Sequence, residues 1–503
     1  MLSQNYRKPL FIFEMANNHQ GSVEHGQRVI KEIAAACDGF DFDFAFKFQY
    51  RDLDTFIHPN YKNNKDLKQV KRFEETRLAQ EQFLLLKDEV EKHGFLTICT
   101  PFDEVSVGLI EQHRYAKLKI ASCSFTDWPL LERIAQSNLP IIASTAGAEL
   151  VDIDNVVSFF RHRGKDISLM HCVAEYPTMN KDLQLNQIEF LRSRYPGVSV
   201  GYSTHEQPSN TRAVQLAIAK GAVIFEKHVG VACDGETLNS YSANPTEVRA
   251  WLLAAKDAYE MCGIFNQHRP ITEKEKADLQ SLRRGVFASK PIKKGDKIDA
   301  GNTFFAIPSF DGQLLANDMS KYKLYHSLTD IEPNQAIYQD NADVADIRPK
   351  ILNIVNQVKS ILKDSGVPVP EKASFELSHH YGLDNFDKYG VTIVNCINRE
   401  YCKKILVVIP NQDHPSHYHK LKEETFHILY GDLNIELNGE VKEYHRGDLV
   451  LVERGAKHRF WSKNGAVFEE VSTTHYINDS YYEDPKISEV KNRKTGLTFW
   501  FED

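Results

Sequence analysis

The stretch HPSHYHKLKEETFHILYG, residues 414–431, concentrates imidazoles and carboxylates. His417 and His419 stand two apart, Glu424 follows after four residues, and Gly431 closes the run. Two imidazoles two apart on an extended segment face the same side, and with a carboxylate they make a metal-ligand set. A second set is dispersed. Lys47 with Gln49, and Glu226 with His228, are also spaced two apart, so in a strand each pair points together. Elsewhere fall Glu14 and Asn17, Thr100 and Asp103, Lys119 and Ser122, Ser144 and Thr145, Ser203 and His205. Two lysines with several hydroxyls suit a small anion carrying phosphate and carboxylate, the lysines as point charges and the hydroxyls as donors. Two histidines with open coordination positions suit a divalent metal that polarises a carbonyl. An anion site beside a Lewis-acid site points to carbon–carbon bond formation between a phosphorylated enol and an aldehyde.

The dispersed set needs elements that bring it together. Short apolar runs predict strands at 11–18, 44–50, 95–101, 117–123, 140–146, 167–174, 198–205 and 222–229. Helical patterns lie between them. In AQEQFLLLKDEVEKHG, Phe83, Leu86 and Val90 fall at i, i+3 and i+7, and Gly94 can end the helix. Eight strands alternating with helices predict a (β/α)8 barrel, whose active site lies at the C-terminal ends of the strands. The dispersed residues sit there, on seven of the strands. A lone buried lysine is commonly just salt-bridged, and a lone strand-end serine commonly just caps a helix. Recurrence over seven strands outweighs those readings. A doubly wound sheet is disfavoured because no GxGxxG follows the first strand.

The chain has 503 residues, which suggests two to four domains. Its 42% hydrophobic and 26% charged residues are ordinary for a globular protein, and a net charge of −8 argues against general nucleic-acid binding. No run is long enough to cross a bilayer, so no membrane partner is expected. MLSQNYRKPLFIFEM fails as a signal peptide, because Glu14 interrupts its apolar core. Eight cysteines without a CxxC pair read as reduced thiols in a cytoplasmic enzyme.

The ordered motifs EMANNHQG, KFQ, CTPFD, KIAS, AST, YPT, GYSTH, FEKH and RRGVFASKPIKKGD resemble the sialic acid synthase family over residues 8–340. That family condenses phosphoenolpyruvate with an open-chain 2-acetamido sugar to a nonulosonic acid. Phosphate leaves by C–O cleavage, and Mn2+ or Mg2+ activates the aldehyde. The resemblance implies that His205 and His228 hold the metal and that Glu14 and Gln49 face metal and sugar. It implies that Lys47, Thr100, Lys119, Ser122, Ser144 and Ser203 hold phosphoenolpyruvate and that Tyr176 lies against the sugar. Asn17 joins the expected substrate-binding residues. The chain departs from the family at Ala174, where Asn or Ser is usual, at Ser124, where Glu is frequent, and at Thr204, where Asp is usual. VGVACDGETLNSYSANP replaces the usual FTLD and GPD stretch. The resemblance implies an acceptor that is N-acetylmannosamine-like or a diacetamido hexose, and these changes point to an unusual acceptor or to a specialised branch making a different nonulosonic acid.

RRGVFASKPIKKGDKI resembles the opening of the family's antifreeze-like (β-clip) domain and reads as two short strands around a Lys-Lys-Gly-Asp turn. In the family this domain swaps across a homodimer and sends an arginine into the partner's site. Here the matching stretch IPSFDGQL has no arginine, and Arg283 and Arg284 are candidates to replace it.

After residue 345 the pattern changes. One amphipathic helix at 351–366 leads into strand after strand, which predicts a small β-barrel or jelly roll. His417, His419, Glu424 and Gly431, followed by Gly447, Gly455 and His458, resemble the two motifs of the cupin fold. Glu453 and Ser462 stand where proline and asparagine are usual. The resemblance implies that His417, His419, Glu424 and His458 bind a second transition metal, Mn, Fe, Ni or Zn. His379, His380, His414 and His427 fall outside the motif and read as surface or packing residues. The expected organisation is a barrel at 1–275, an antifreeze-like domain at 281–342 and a cupin at 345–503. An alternative is a barrel that no longer condenses, with the cupin acting as a sugar isomerase, epimerase or sugar-binding module.

Overall fold

A computed structural model of the chain describes residues 8–233, 237–264, 267–371, 373–490 and 493–497. The chain divides into two compact units, Met1–Pro270 and Ile271–Asp503.

In the first unit, eight strands form a closed barrel: β1 (Leu10–Glu14), β2 (Asp43–Tyr50), β3 (Leu96–Pro101), β4 (Lys117–Ile120), β5 (Ile141–Ser144), β6 (Ile167–Cys172), β7 (Ser199–Thr204) and β8 (Ile224–His228). Each is parallel to the next, and β8 closes on β1. This is the TIM-type barrel. The helix Gln80–Lys92 forms as its spacing predicts; Leu86 and Val90 are buried, and Gly94 ends it at φ 72°.

Period-two alternation sorts the barrel's side chains. Phe11, Phe13, Phe46 and Phe48 join the core that includes Leu86 and Val90. Leu10, Ile12, Ala45, Ile98, Ile142, Met170 and Ile224 form a separate apolar cluster that plugs the interior. Space there is tight: a Cβ on Gly201 would lie 2.4 Å from Met170 Sδ and from the Ile224 carbonyl oxygen. Two residues further along the strands from that plug come Glu14, Lys47, Thr100, Ser144, Cys172 and Glu226. The apolar layer is thus the floor on which a polar layer stands.

In the second unit, Gly285–Ala288 pairs antiparallel with Thr303–Ala306, while Lys297–Ile298 pairs with Lys323–Ser327, itself paired with Ala342–Asp346. The two strands flanking the Lys-Lys-Gly-Asp turn therefore lie in different sheets. The two short strands and the turn between them form, the Lys293 N–H donating to Asp296 within the turn and Ile292 bridging Ile331. Val286, Ile298, Leu314, Tyr325 and Ile337 give these short strands a core of their own. Arg283 donates to Gln280 and Arg284 lies over Phe305.

The helix Arg348–Ser365 ends at Gly366, φ 64°, and packs Ile351, Ile354, Val358 and Leu362 with Phe375, Leu377, Ile405 and Val407 of a seven-stranded sheet. A second cluster, including Leu406, Phe426, Ile428, Ile435, Phe460 and Phe468, joins that sheet to a five-stranded one. This is the two-sheet arrangement of a cupin.

Candidate active site and metal centre

Glu226 organises the polar layer of the barrel. Its Oε1 accepts from Ser203 Oγ at 3.2 Å and lies 3.1 Å from Lys47 Nζ; its Oε2 accepts from Lys119 Nζ at 2.9 Å. Lys47 also ion-pairs with Glu14 and donates to Thr100 Oγ1 at 3.4 Å. Glu14 Oε1 accepts from the Ala16 N–H at 2.6 Å and from Gln49 Nε2 at 3.4 Å. The strand register makes these contacts possible, setting Glu14 beside Lys47 and His228, Gln49 beside Thr100, and Ser203 beside Glu226.

Burial works against every charge in this group, and the pairing decides which charges survive. Glu226 stays well below the usual carboxylate range, because Lys119 and Lys47 outweigh its burial. Lys47 stays above the ordinary lysine value, because Glu14 and Glu226 outweigh its burial. Burial wins at Lys119, whose ammonium is held below the usual value although Glu226 opposes the shift. Burial also raises Glu14.

His205 and His228 come together, with ring centroids 5.4 Å apart. His205 Nδ1–H donates to the Val173 carbonyl at 2.8 Å, which leaves Nε2 as the lone pair. Burial depresses both imidazoles, and His205 pushes His228 further down. Neutral nitrogens of this kind fit a divalent ion, with positions left for substrate and water. Tyr176 stands 4.3 Å from the His205 ring. Tyr241, which the sequence did not single out, stands 5.2 Å from His228, 5.2 Å from Tyr176 and 6.0 Å from His205.

The other expected residues fall around this centre. Ser144 Oγ is buried without a hydrogen-bond partner, and Ser122 Oγ accepts from the Ala146 N–H at 3.2 Å. Asn17 and Gln49 line a cavity of about 660 Å³ with Arg51, Phe73 and Arg77, large enough for a small ligand. Arg51 was also missed. It donates to Gln49 Oε1 at 2.8 Å and is held between Phe73 and Phe102, its guanidinium 4.2 and 3.7 Å from their ring centroids. Of the stretch that departs from the family, residues 234–236 lie outside the described residues.

The cupin centre is more compact. His417, His419 and His458 are buried, and their ligand atoms lie within 4.8 Å of one another. Among the described residues no other group of three such ligands forms. Each imidazole gives its Nδ1–H to a backbone carbonyl: His417 to Pro415, His419 to Asp479 and His458 to Ala456. The three Nε2 lone pairs are thereby left for a common ligand. Glu424 is 3.6 Å from His419 and 3.3 Å from His458, yet its Oε2 and His458 Nε2 are buried without a hydrogen bond. A cation between them fits both orphaned atoms.

Three residues of this centre were invisible to motif reading. Lys422 pairs with Glu424 and with Glu470, at 3.0 Å from the latter. Glu470 comes from a distant strand and also holds Lys404 at 3.3 Å. Asp479 accepts from the backbone N–H groups of Lys420, Leu421 and Lys422, so it shapes the turn between His419 and Glu424. His380 and His414 are buried packing residues, while the His427 side chain is partly exposed.

The fold and these sites define a barrel enzyme joined in one chain to a cupin. The pattern of the NeuB family matches residues 32–266, and that of the cupin domain matches residues 404–469. An uncharacterized protein of Methanocaldococcus jannaschii, MJ1065, is 32% identical over 304 residues, spanning 60% of this chain and 86% of that protein. The N,N'-diacetyllegionaminic acid synthase of Campylobacter jejuni is 28% identical over 314 residues, 59% of this chain and 89% of that enzyme. The crystal structure of a putative spore coat polysaccharide biosynthesis protein E from Chromobacterium violaceum is 55% identical. It covers 67% of this chain and 100% of its own, with a TM-score of 0.65. The chain belongs to the NeuB family, and it is a carbon–carbon bond-forming transferase.

Proposed function

We propose that the barrel condenses phosphoenolpyruvate with an open-chain 2-acetamido or diacetamido aldose to give a nonulosonic acid and phosphate. One observation carries this reading: Glu226 tethers Lys47 and Lys119 on the same barrel rim as the neutral pair His205 and His228. A phosphorylated, carboxylated anion satisfies both lysines once it displaces part of that tether. Thr100, Ser122, Ser144 and Ser203 donate to its oxygens, and the orphaned Ser144 hydroxyl is ready for that contact. Glu14 and Gln49 face the acceptor, and Tyr176 covers it. In the condensation, C3 of phosphoenolpyruvate bonds to the aldehyde carbon, water adds at C2, and phosphate departs by C–O cleavage. His205 and His228 would hold Mn2+ or Mg2+, which when bound polarises the aldehyde carbonyl.

In the same reading the chain has three parts, at 1–275, 281–342 and 345–503, the middle one an antifreeze-like domain of a cytoplasmic homodimer. The cupin holds its own transition metal, Mn, Fe, Ni or Zn, on His417, His419, His458 and Glu424. A second reading rests on the orphaned nitrogen and oxygen at that centre: the cupin isomerises or binds a sugar by itself.

The test is phosphate release from phosphoenolpyruvate with a panel of 2-acetamido and diacetamido hexoses, metal supplied. Turnover with at least one is expected. Absence of turnover with all of them sinks the condensation. Metal analysis of His228→Ala and His419→Ala beside the parent should show each variant losing metal from its own site.

A further inference from the structure

Four rings meet at the rim beside the proposed metal pair. Tyr241 stands nearly perpendicular to both imidazoles, at 87° to His228 and 86° to His205, and edge-on to Tyr176 at 62°. Tyr176 in turn lies 4.3 Å from His205. The tyrosine pair therefore flanks the two imidazoles, forming one aromatic wall.

The position of Tyr241 is built, not incidental. Its own N–H donates to Asn239 Oδ1 at 3.3 Å. Two residues on, the Ala243 N–H donates to the His228 carbonyl at 2.8 Å, and the Gly230 N–H donates to the Ala243 carbonyl at 3.1 Å. Asn18 ties the two segments together, donating to the Val229 carbonyl at 2.7 Å and to Ser242 Oγ at 3.1 Å. The backbone that carries Tyr241 is thus bonded directly to the strand end that carries His228. Tyr241 is only half-buried, and its hydroxyl has no hydrogen-bond partner among the described residues. A ring held this firmly, with a free hydroxyl at the rim, is ready to meet a ligand that is partly apolar and partly polar. A sugar face is such a ligand.

We propose that Tyr241 determines acceptor specificity: with Tyr176 it grips the aldose beside the His205–His228 pair. Its ring packs on the sugar's C–H face, and its hydroxyl bonds one substituent. This inference rests on the synthase reading for its substrate class. In that reading phosphoenolpyruvate sits on the lysine–glutamate group, whereas the ring contacts of Tyr241 are with Tyr176, His205 and His228.

The experiment measures steady-state KM for both substrates and, separately, direct binding of the aldose by titration calorimetry, for the parent, Tyr241→Phe and Tyr241→Ala. Tyr241→Ala is expected to weaken aldose binding and raise its KM on the order of tenfold or more, as loss of a pocket contact does. The KM for phosphoenolpyruvate is expected to stay unchanged. Tyr241→Phe should retain the packing and lose discrimination among acceptors that differ at the bonded substituent. Unchanged aldose binding in Tyr241→Ala overturns the inference and leaves the synthase reading intact. Equal loss for both substrates overturns it too, since that marks a general structural role. Aldose binding that depends on Tyr241 without phosphate release supports the inference and overturns the synthase reading. A parent that binds no aldose overturns the inference.

Discussion

The barrel rim and the cupin interior both pair buried glutamates with lysines, but in the cupin three imidazoles also converge beside the pairs. At the rim, carboxylates and ammonium groups neutralise one another: Glu226 and Glu14 against Lys47 and Lys119. Each partner comes from a different strand. In the cupin, three imidazoles have their Nδ1–H groups committed to backbone carbonyls, so their Nε2 atoms converge on one point. In the proposed reading the first arrangement takes a molecule with its own charge and the second takes a metal ion, beside the Lys422–Glu424 pair.

That contrast can be broken experimentally. The largest effect is expected from Glu226→Gln, which leaves two buried lysines with one carboxylate. Removing one partner of a buried ion pair costs about 3–5 kcal/mol, to be read from urea unfolding. A loss below about 1 kcal/mol, the scale of exposed pairs, would mean that water already screens the cluster. Next comes Lys119→Met, where loss of one preorganised charge should lower phosphate release ~10²–10³-fold, with the fold checked by circular dichroism. A rate within twofold of the parent would remove Lys119 from the anion site.

In the cupin, Asp479→Asn loosens the turn that presents His419 and Glu424. Outer-shell changes weaken metal binding about 10–100-fold, to be measured by competition with a chelator. Unchanged affinity would show that the backbone alone holds the ligands. The last test concerns acid. Burial holds His380 in the second unit down to about 4 and His475 to about 3, and His19 in the barrel unit to about 4. Such groups are neutral when folded, while the unfolded chain takes up protons below ~6.5. Stability therefore falls as pH drops from there towards the folded values, by about 1.4 kcal/mol per pH unit for each such histidine. Urea unfolding at pH 5 should therefore show a lower midpoint than at pH 7, and an unchanged midpoint would contradict the burial of these histidines.

Much of the fold was legible in the sequence because alternation and strand–helix length are local properties. The eight barrel strands fall where the apolar runs predicted, and Gly94 and Gly366 end their helices. The partners of the two strands around the Lys-Lys-Gly-Asp turn were not legible for the complementary reason: which strand pairs with which depends on distant segments such as Thr303–Ala306 and Lys323–Ser327. The cupin histidine cluster was legible because one motif carries two of its three members, His417 and His419. Glu226's clamp, Tyr241's wall, Arg51's slot between two phenylalanines and Asp479's turn were not.

What the residues themselves determined, then, is the inventory and its local geometry: two-apart pairs that share a face, helices that end at glycine, and a histidine–glutamate run suited to a metal. What only the tertiary structure decided is the pairing of charges. Lys119 and Glu226 are 107 positions apart and 2.9 Å from each other. Electrostatic partnership depends on distance in space and on burial, and barrel closure sets both.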